Sequence, residues 1–325
     1  MPEITFRQAI QRGLEEALQN DPRVLIMGED IGKYGGAYAV TSGFLDKYGP
    51  KRIKDTPISE ATFVGAGIGA AAGGLRPVVE LMSMSFALVA FDQIVNMAAN
   101  LRYMAGGQVK VPMVIRAPTG AGMQLGATHS QSFETWLCEV PGLRVVVPST
   151  PADALGLLRT ALKEDNPVFY AEPAGLYAMK GEVPDGYYTV PFGSASVQRA
   201  GKDVTLVSYG HGMRVLHTAA EGLAKRGVEA EVIDLRSLSP LDMDTIVASV
   251  QKTGKALMLD TARRTGGVMA EVTSRLQEAA SDWMDGPIAR VGAEDVPWPY
   301  NRDLEQEALP HADDVLAALN RAYGI

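Results

Sequence analysis

Short apolar runs alternate with longer amphipathic stretches along the whole chain, and this alternation constrains the fold more than any other feature. Strand-like runs fit residues 23–28, 77–82, 111–116, 143–147 and 167–171. Helical stretches fit between them. Thr5 and Gln8 are spaced as a capping box ahead of a helix reaching about residue 19. Ser59 stands where it can cap a helix from Glu60 to Gly73–Gly74, and a further helix covers 87–103. Pro151 suits a first helical position behind Ser149 or Thr150. Residues 172–192 are then punctuated by Pro173, Gly175, Gly181, Pro184, Gly186 and Pro191, which break regular structure. After them the alternation resumes, with strands at 204–209, 230–234, 256–259 and 289–291 and helices at 211–225, 242–251, 267–279 and 313–323. Such alternation builds parallel sheets through βαβ units. The expected fold class is α/β, with two parallel-sheet domains in series: 1–180, a linker at 181–192, and 193–325. A length of 325 residues suits two domains.

Composition removes several function classes. The net charge of −8 lacks the basic footprint of a nucleic-acid binder. The least polar run, 64–75, is too short and too Gly-rich to span a bilayer, so no membrane association is expected. The start of the chain reads as structure, with no signal peptide in view. The single cysteine, Cys138, excludes an internal disulfide and fits a reducing compartment; the expectation is cytoplasmic. No Gly-x-x-x-x-Gly-Lys-Ser/Thr loop and no Gly-x-Ser-x-Gly elbow occurs. His211, His217 and His311 show no metal-ligand spacing with one another.

Two segments carry chemistry. The first is Asp55-Thr-Pro-Ile-Ser-Glu60 followed by a helix with Gly65, Gly69 and Gly73 about a turn apart. Each interior helical Gly costs roughly 1 kcal/mol against Ala, so close packing must offset it. That packing is either against this chain's own sheet or against another subunit, and spacing does not choose. Glu60 sits in the first turn, where a carboxylate also simply answers the helix dipole. The second segment, Gly120-Ala-Gly-Met-Gln-Leu-Gly-Ala-Thr-His129-Ser-Gln, places a histidine on a long loop after a strand. Catalytic groups in open α/β sheets commonly sit there, and so do ordinary surface histidines.

Several stretches, in order along nearly the whole chain, resemble the β subunits of E1 components of 2-oxoacid dehydrogenase complexes. They are Gly28-Glu-Asp-Ile-Gly, Asp55-Thr-Pro-Ile-Ser-Glu60, Gly74-Leu-Arg-Pro, Asp92-Gln-Ile, His129-Ser-Gln, Pro141-Gly-Leu, Asp165-Asn-Pro, Asp234-Leu-Arg and Asp295-Val-Pro-Trp-Pro-Tyr. The resemblance implies a transketolase-like pyrimidine-binding domain followed by a transketolase C-terminal domain, and thiamine diphosphate as cofactor. Glu60 matches the glutamate that exchanges a proton with N1′ of the aminopyrimidine ring. Met82 and Phe86 match positions that pack on that ring, with plain core packing as the alternative. His129 matches the histidine implied to assist reductive acylation of a lipoyl group. Potassium on backbone carbonyls is a further implication, with matching stretches at Met113, Ala161, Leu162, Glu164 and Asn166.

The family's α subunit holds the diphosphate and magnesium through a Gly-Asp-Gly motif, and this chain contains none. The resemblance therefore implies a separate α partner in an α2β2 heterotetramer. It also implies E2 acyltransferase subunit-binding and lipoyl domains as partners. The acidic tail, with Asp303, Glu305, Glu307, Asp313 and Asp314, would suit the basic subunit-binding domain, or would be a solvated face. Pyruvate is the expected substrate, on the look of Leu125-Gly-Ala-Thr-His-Ser-Gln. Acetoin and branched-chain enzymes are the alternatives. A split transketolase half would need basic residues arranged for a sugar phosphate, for which the surroundings of Arg116 and His129 make no case. A non-catalytic docking subunit would have lost Glu60.

Overall fold

The computed structural model describes residues 2–325. The chain divides into two compact units, one formed by residues up to Thr119 with Trp136–Phe192, the other by Gly120–Thr135 with Gly193–Ile325.

In the first half of the chain the elements run β1 (Glu3–Thr5), α1 (Phe6–Asn20), β2 (Val24–Gly28), α2 (Phe44–Tyr48), β3 (Ile53–Asp55), α3 (Glu60–Ala72), β4 (Arg76–Glu80), α4 (Leu101–Met104), β5 (Val114–Thr119), α5 (Glu134–Cys138), β6 (Arg144–Val146), α6 (Pro151–Ala161), β7 (Val168–Pro173) and β8 (Lys180–Glu182). Neighbours in the main sheet follow the order β6-β7-β5-β4-β2-β3, and each pair is parallel. β2, β5 and β7 are buried at every position, as strands covered on both faces must be. β1 and β8 form a separate antiparallel pair. Local signals set the helix starts. Gln8 N–H donates to the Thr5 hydroxyl and Thr5 N–H to the Gln8 side chain, a complete capping box. Thr150 caps α6 through Asp153 N–H with Pro151 at the first position. The apolar stripe Phe6, Ile10, Leu14 and Leu18 of α1 is buried. A side chain at Gly13 would meet Leu158 Cδ2 at 2.9 Å, so glycine is what lets α1 lie against α6.

The helix expected at 87–103 is broken. A 3₁₀ turn at Met84–Leu88 and a π-helical turn at Gln93–Ala98 precede the four-residue α4. Glycine packing on α3 also differs from the expectation. A Cβ at Gly67, which lay outside the spaced trio, would strike Val79 Cγ2 of the sheet at 2.7 Å, whereas one at Gly65 would lie 3.0 Å from the Gln93 side chain and one at Gly69 would meet nothing within 4 Å.

The second unit contains β9 (Ser196–Arg199), β10 (Val204–Ser208), α7 (Gly212–Ala224), β11 (Ala230–Asp234), β12 (Ser237–Ser239), α8 (Met243–Thr253), β13 (Ala256–Arg263), α9 (Val268–Ala280), β14 (Ala289–Ala293), α10 (Arg302–Ala308) and α11 (Ala312–Tyr323). Its five-stranded sheet has the order β14-β13-β10-β11-β9, parallel except for β9 at the edge. Leu206, Val232 and Leu257 of the sheet form one core with Leu216 and Leu223 of α7 and Leu319 of α11. Among the described residues no helix is long and apolar enough to cross a membrane.

Candidate active site

Three adjacent parallel strands, β4, β2 and β3, end at the same level, with Gly28 in register with both Glu80 and Asp55. The connections that leave this carboxyl edge carry Glu29, then Glu60, then Met82 and Phe86. Ligands in open α/β sheets bind at such an edge. Glu60 is the first residue of α3 and only 5% exposed. The Ser59 hydroxyl does not cap the helix and instead lies 2.7 Å from Thr62 Oγ1. Met82 and Phe86 are half-buried on the strand end and the 3₁₀ turn.

Glu29, which no sequence pattern singles out, stands beside Glu60 in the candidate site. It is 4% exposed and lies near enough to Glu60 for the Glu60 charge to act on it. Burial, first, and then the Glu60 charge push its carboxyl from an ordinary 4.5 up to about 7. Its Oε1 is buried and has no hydrogen-bond partner. A carboxyl raised this far can hold a proton near neutral pH. The available signal was position: a carboxylate directly after a fully buried strand.

Behind the pair lies Arg116 on β5, 1% exposed. It makes a bidentate contact with Glu172, from Nε and Nη2 at 2.6 Å each, and its Nη1 donates to Glu80. The Tyr177 hydroxyl donates to Glu172 at 2.6 Å. Burial disfavours every charge here. It raises Glu80, while Glu172 and Glu80 together hold the Arg116 guanidinium above its ordinary range. Arg116 is thus enclosed by carboxylates and offers nothing to a phosphate.

His129 lies on an exposed loop in the stretch that clusters with the second unit, its Nδ1 2.8 Å from Thr128 Oγ1. The structure therefore brings Glu60, Met82 and Phe86 to one sheet edge and sets His129 on a segment of the other unit. The potassium candidates form a separate group around the end of α6. Arg76 Nη1 donates to the carbonyls of Leu162 and Glu164 at 3.1 Å each. The Met113 carbonyl accepts from Val168 N–H at 3.0 Å, the Ala161 carbonyl accepts from Glu164 N–H at 3.2 Å, and the Asn166 side chain bonds Arg102 and Glu164. Those carbonyls would meet an ion only with their remaining lone pairs. Among the described residues no group of three His, Cys, Asp or Glu side chains is placed for a metal. One member of the acidic tail is corrected outright. Glu305 is fully buried, while Asp303, Glu307, Asp313 and Asp314 are exposed.

The carboxyl pair makes a pH prediction. A folded-state pKa above the ordinary value means that the folded protein binds the extra proton. Stability is then lost as pH rises from about 4.5 through about 7. In the cofactor-free protein, Glu29→Gln should match the wild type near pH 4.5. At pH 8 it should be more stable by on the order of 2–3 kcal/mol. Thermal midpoints measured at both pH values check this, and equal midpoints at pH 8 would remove the proton from the pair.

Two family models match the chain: the transketolase pyrimidine-binding domain over residues 2–180 and the transketolase C-terminal domain over 193–315. Fold and family matches thus define a transketolase-like protein. A solved split-gene transketolase chain, described as an inactive beta4 tetramer, aligns with a TM-score of 0.80 at 26% identity over 99% of this chain and 98% of that one. Sequence likeness is higher elsewhere. The subunit beta-2 of the mitochondrial pyruvate dehydrogenase E1 component of Oryza sativa is 44% identical over 98% of this chain and 86% of its own. The mitochondrial subunit beta of Dictyostelium discoideum is 45% identical, with 98% and 91% covered. The subunit beta of Rickettsia felis is 43% identical, with 98% of both covered. The chain belongs to the family of pyruvate dehydrogenase E1 β subunits, whose enzymes depend on thiamine diphosphate.

Proposed function

We propose that this chain is the β half of a thiamine-diphosphate-dependent pyruvate dehydrogenase E1 that decarboxylates pyruvate oxidatively and passes the acetyl group to E2 lipoyl groups. The observation that carries the reading is the buried Glu29–Glu60 pair at the carboxyl edge of the pyrimidine-binding unit. The donor set fits an aminopyrimidine: a buried carboxylate for a ring nitrogen, an unpartnered Glu29 oxygen beside it, and half-buried Met82 and Phe86 for the flat apolar faces. When bound, thiamine diphosphate supplies the carbon nucleophile and the electron sink for decarboxylation. Glu60 holds and returns a proton at N1′ of the pyrimidine. Glu29 keeps that proton within the pair, because its own raised pKa lets it accept one near neutral pH. His129 assists acylation of the lipoyl group. Magnesium is held by the α subunit, and any potassium would lie on the carbonyls of Met113, Ala161, Leu162, Glu164 and Asn166.

The working assembly is an α2β2 heterotetramer that docks on E2, in the cytoplasm. The absence of Gly-Asp-Gly supports a separate α chain. The likeness to a split-gene transketolase chain solved as an inactive beta4 tetramer supports the same reading. The test is reconstitution. The chain alone should not decarboxylate pyruvate, and the chain with its α subunit should prefer pyruvate to acetoin and branched 2-oxoacids. Robust turnover by the isolated chain would overturn the β-subunit reading, and a preference for acetoin would move the substrate.

A further inference from the structure

The loop that carries His129 is held by a buried carboxylate remote in sequence. The stretch Gly120–Thr135 takes positive φ at Gly120, Gly122, Gln124 and Gly126. Its own backbone bonds are long, at 3.5 Å from Gly120 N–H to the Gln131 carbonyl and 3.4 Å from His129 N–H to the Gly126 carbonyl. Three bonds from its backbone go to Glu305 of α10. Gly122 N–H donates to Oε1 at 3.0 Å, and Gln124 N–H donates to Oε2 at 3.0 Å and to Oε1 at 3.3 Å. Glu305 is 0% exposed. Burying a carboxylate costs several kcal/mol, and bonds from N–H groups are what make such a placement tolerable.

The α10 scaffold is itself fixed. Asn301 caps it, and Glu294 N–H donates to the Ala308 carbonyl at 2.9 Å. Ala121 of the loop packs on the cluster of Ala293, Trp298, Ala308 and Leu309. On the other side of His129, Arg263 Nη1 donates to Gln131 Oε1 at 2.9 Å, while the same guanidinium lies 5.6 Å from the Trp298 ring and bonds the Val296 carbonyl. The loop is therefore anchored on both flanks of the histidine.

We infer that Glu305 is a positioning residue for lipoyl acylation, fixing the 120–126 backbone so that His129 is presented in one geometry. The inference rests on the proposed role of His129, and displacement of a reacting group by about 1 Å can cost a hundredfold in rate. The experiment uses the enzyme reconstituted with its α subunit. Glu305→Gln keeps the shape but leaves a single acceptor oxygen, and Glu305→Ala leaves none. Expected are a fall of about tenfold for Gln, and more for Ala, in acetylation of a lipoyl domain. Decarboxylation with an artificial electron acceptor should fall by no more than about twofold. Amide hydrogen exchange should quicken in the peptide 120–126. The double variant Glu305→Ala with His129→Ala should lose no more acetylation than His129→Ala alone, because both act through one group.

Unchanged exchange in 120–126, or equal losses in both assays, would overturn the inference. Should Glu305→Ala fail to fold, the Gln variant carries the test. If His129→Ala leaves acetylation intact while the Glu305 variants still quicken exchange, the role of His129 fails and the backbone clamp stands.

Discussion

Glu60→Gln in the reconstituted holoenzyme should slow exchange of the cofactor's C2 proton by about 10²–10⁴-fold, the usual contribution of a positioned acid–base group. Assembly should be retained. Gln is nearly isosteric with Glu, and removing a carboxylate from the first turn of α3 costs only about 0.3–1 kcal/mol in helix-dipole terms. The size of the kinetic effect follows from where Glu60 lies. It is 5% exposed, so bulk water is a poor substitute as proton carrier. A second consequence is independent of turnover. The Glu60 charge is one cause of the raised Glu29 pKa, so Glu29 should titrate closer to an ordinary carboxyl in the variant. Quench-flow exchange at C2 and carboxyl infrared titration read the two effects. Normal C2 exchange in the variant would take Glu60 out of the mechanism, whatever happened to Glu29.

The parts legible in the sequence are those set within a few residues. The Thr5–Gln8 capping box and the Thr150–Pro151 start of α6 are local patterns, and the structure has both. The strand–helix alternation gave two parallel-sheet units because apolar run length and helical period are also local. The break at 84–104 was not legible, because nothing in its composition distinguishes a continuous helix from 3₁₀ and π-helical turns. Gly67 rather than Gly69 packs on the sheet, and that depends on Val79, twelve positions further on. The candidate site shows the same division. Glu60 stands at a helix start that the pattern marks. Its partnership with Glu29, the enclosure of Arg116, and the turn of Glu305 inward all join residues far apart in sequence. A charged residue in an acidic tail reads as solvated, and only the N–H groups of Gly122 and Gln124 explain why Glu305 is not.

The largest stability effect should come from Arg116. Arg116→Met removes the one guanidinium between Glu80 and Glu172 and leaves two carboxylates in the sheet interior, at 4% and 0% exposure. Breaking a buried charge network by deleting one partner typically costs about 3–5 kcal/mol, because the remaining charges stay desolvated. The loss should depend on pH. Burial already holds Glu80 above its ordinary range, and without Arg116 that shift grows. Carboxyls with raised pKa bind protons in the folded state, so the deficit should be small in acid and grow as pH rises through neutrality. Substituting Glu80→Gln and Glu172→Gln in the same chain should recover most of the loss, since neutral amides carry no such charge penalty. Denaturation midpoints of the three-site and single variants at pH 5 and pH 8 decide the matter. A single-variant loss below about 1 kcal/mol at pH 8 would mean the carboxylates find water or other donors. The outcome bears on the active site as well, because the Glu80 charge is among the causes that raise Glu29. Arg116 offsets that charge in the wild type, so its removal should push Glu29 upward at pH values where Glu80 stays ionised, and shift the pH profile of C2 exchange upward there.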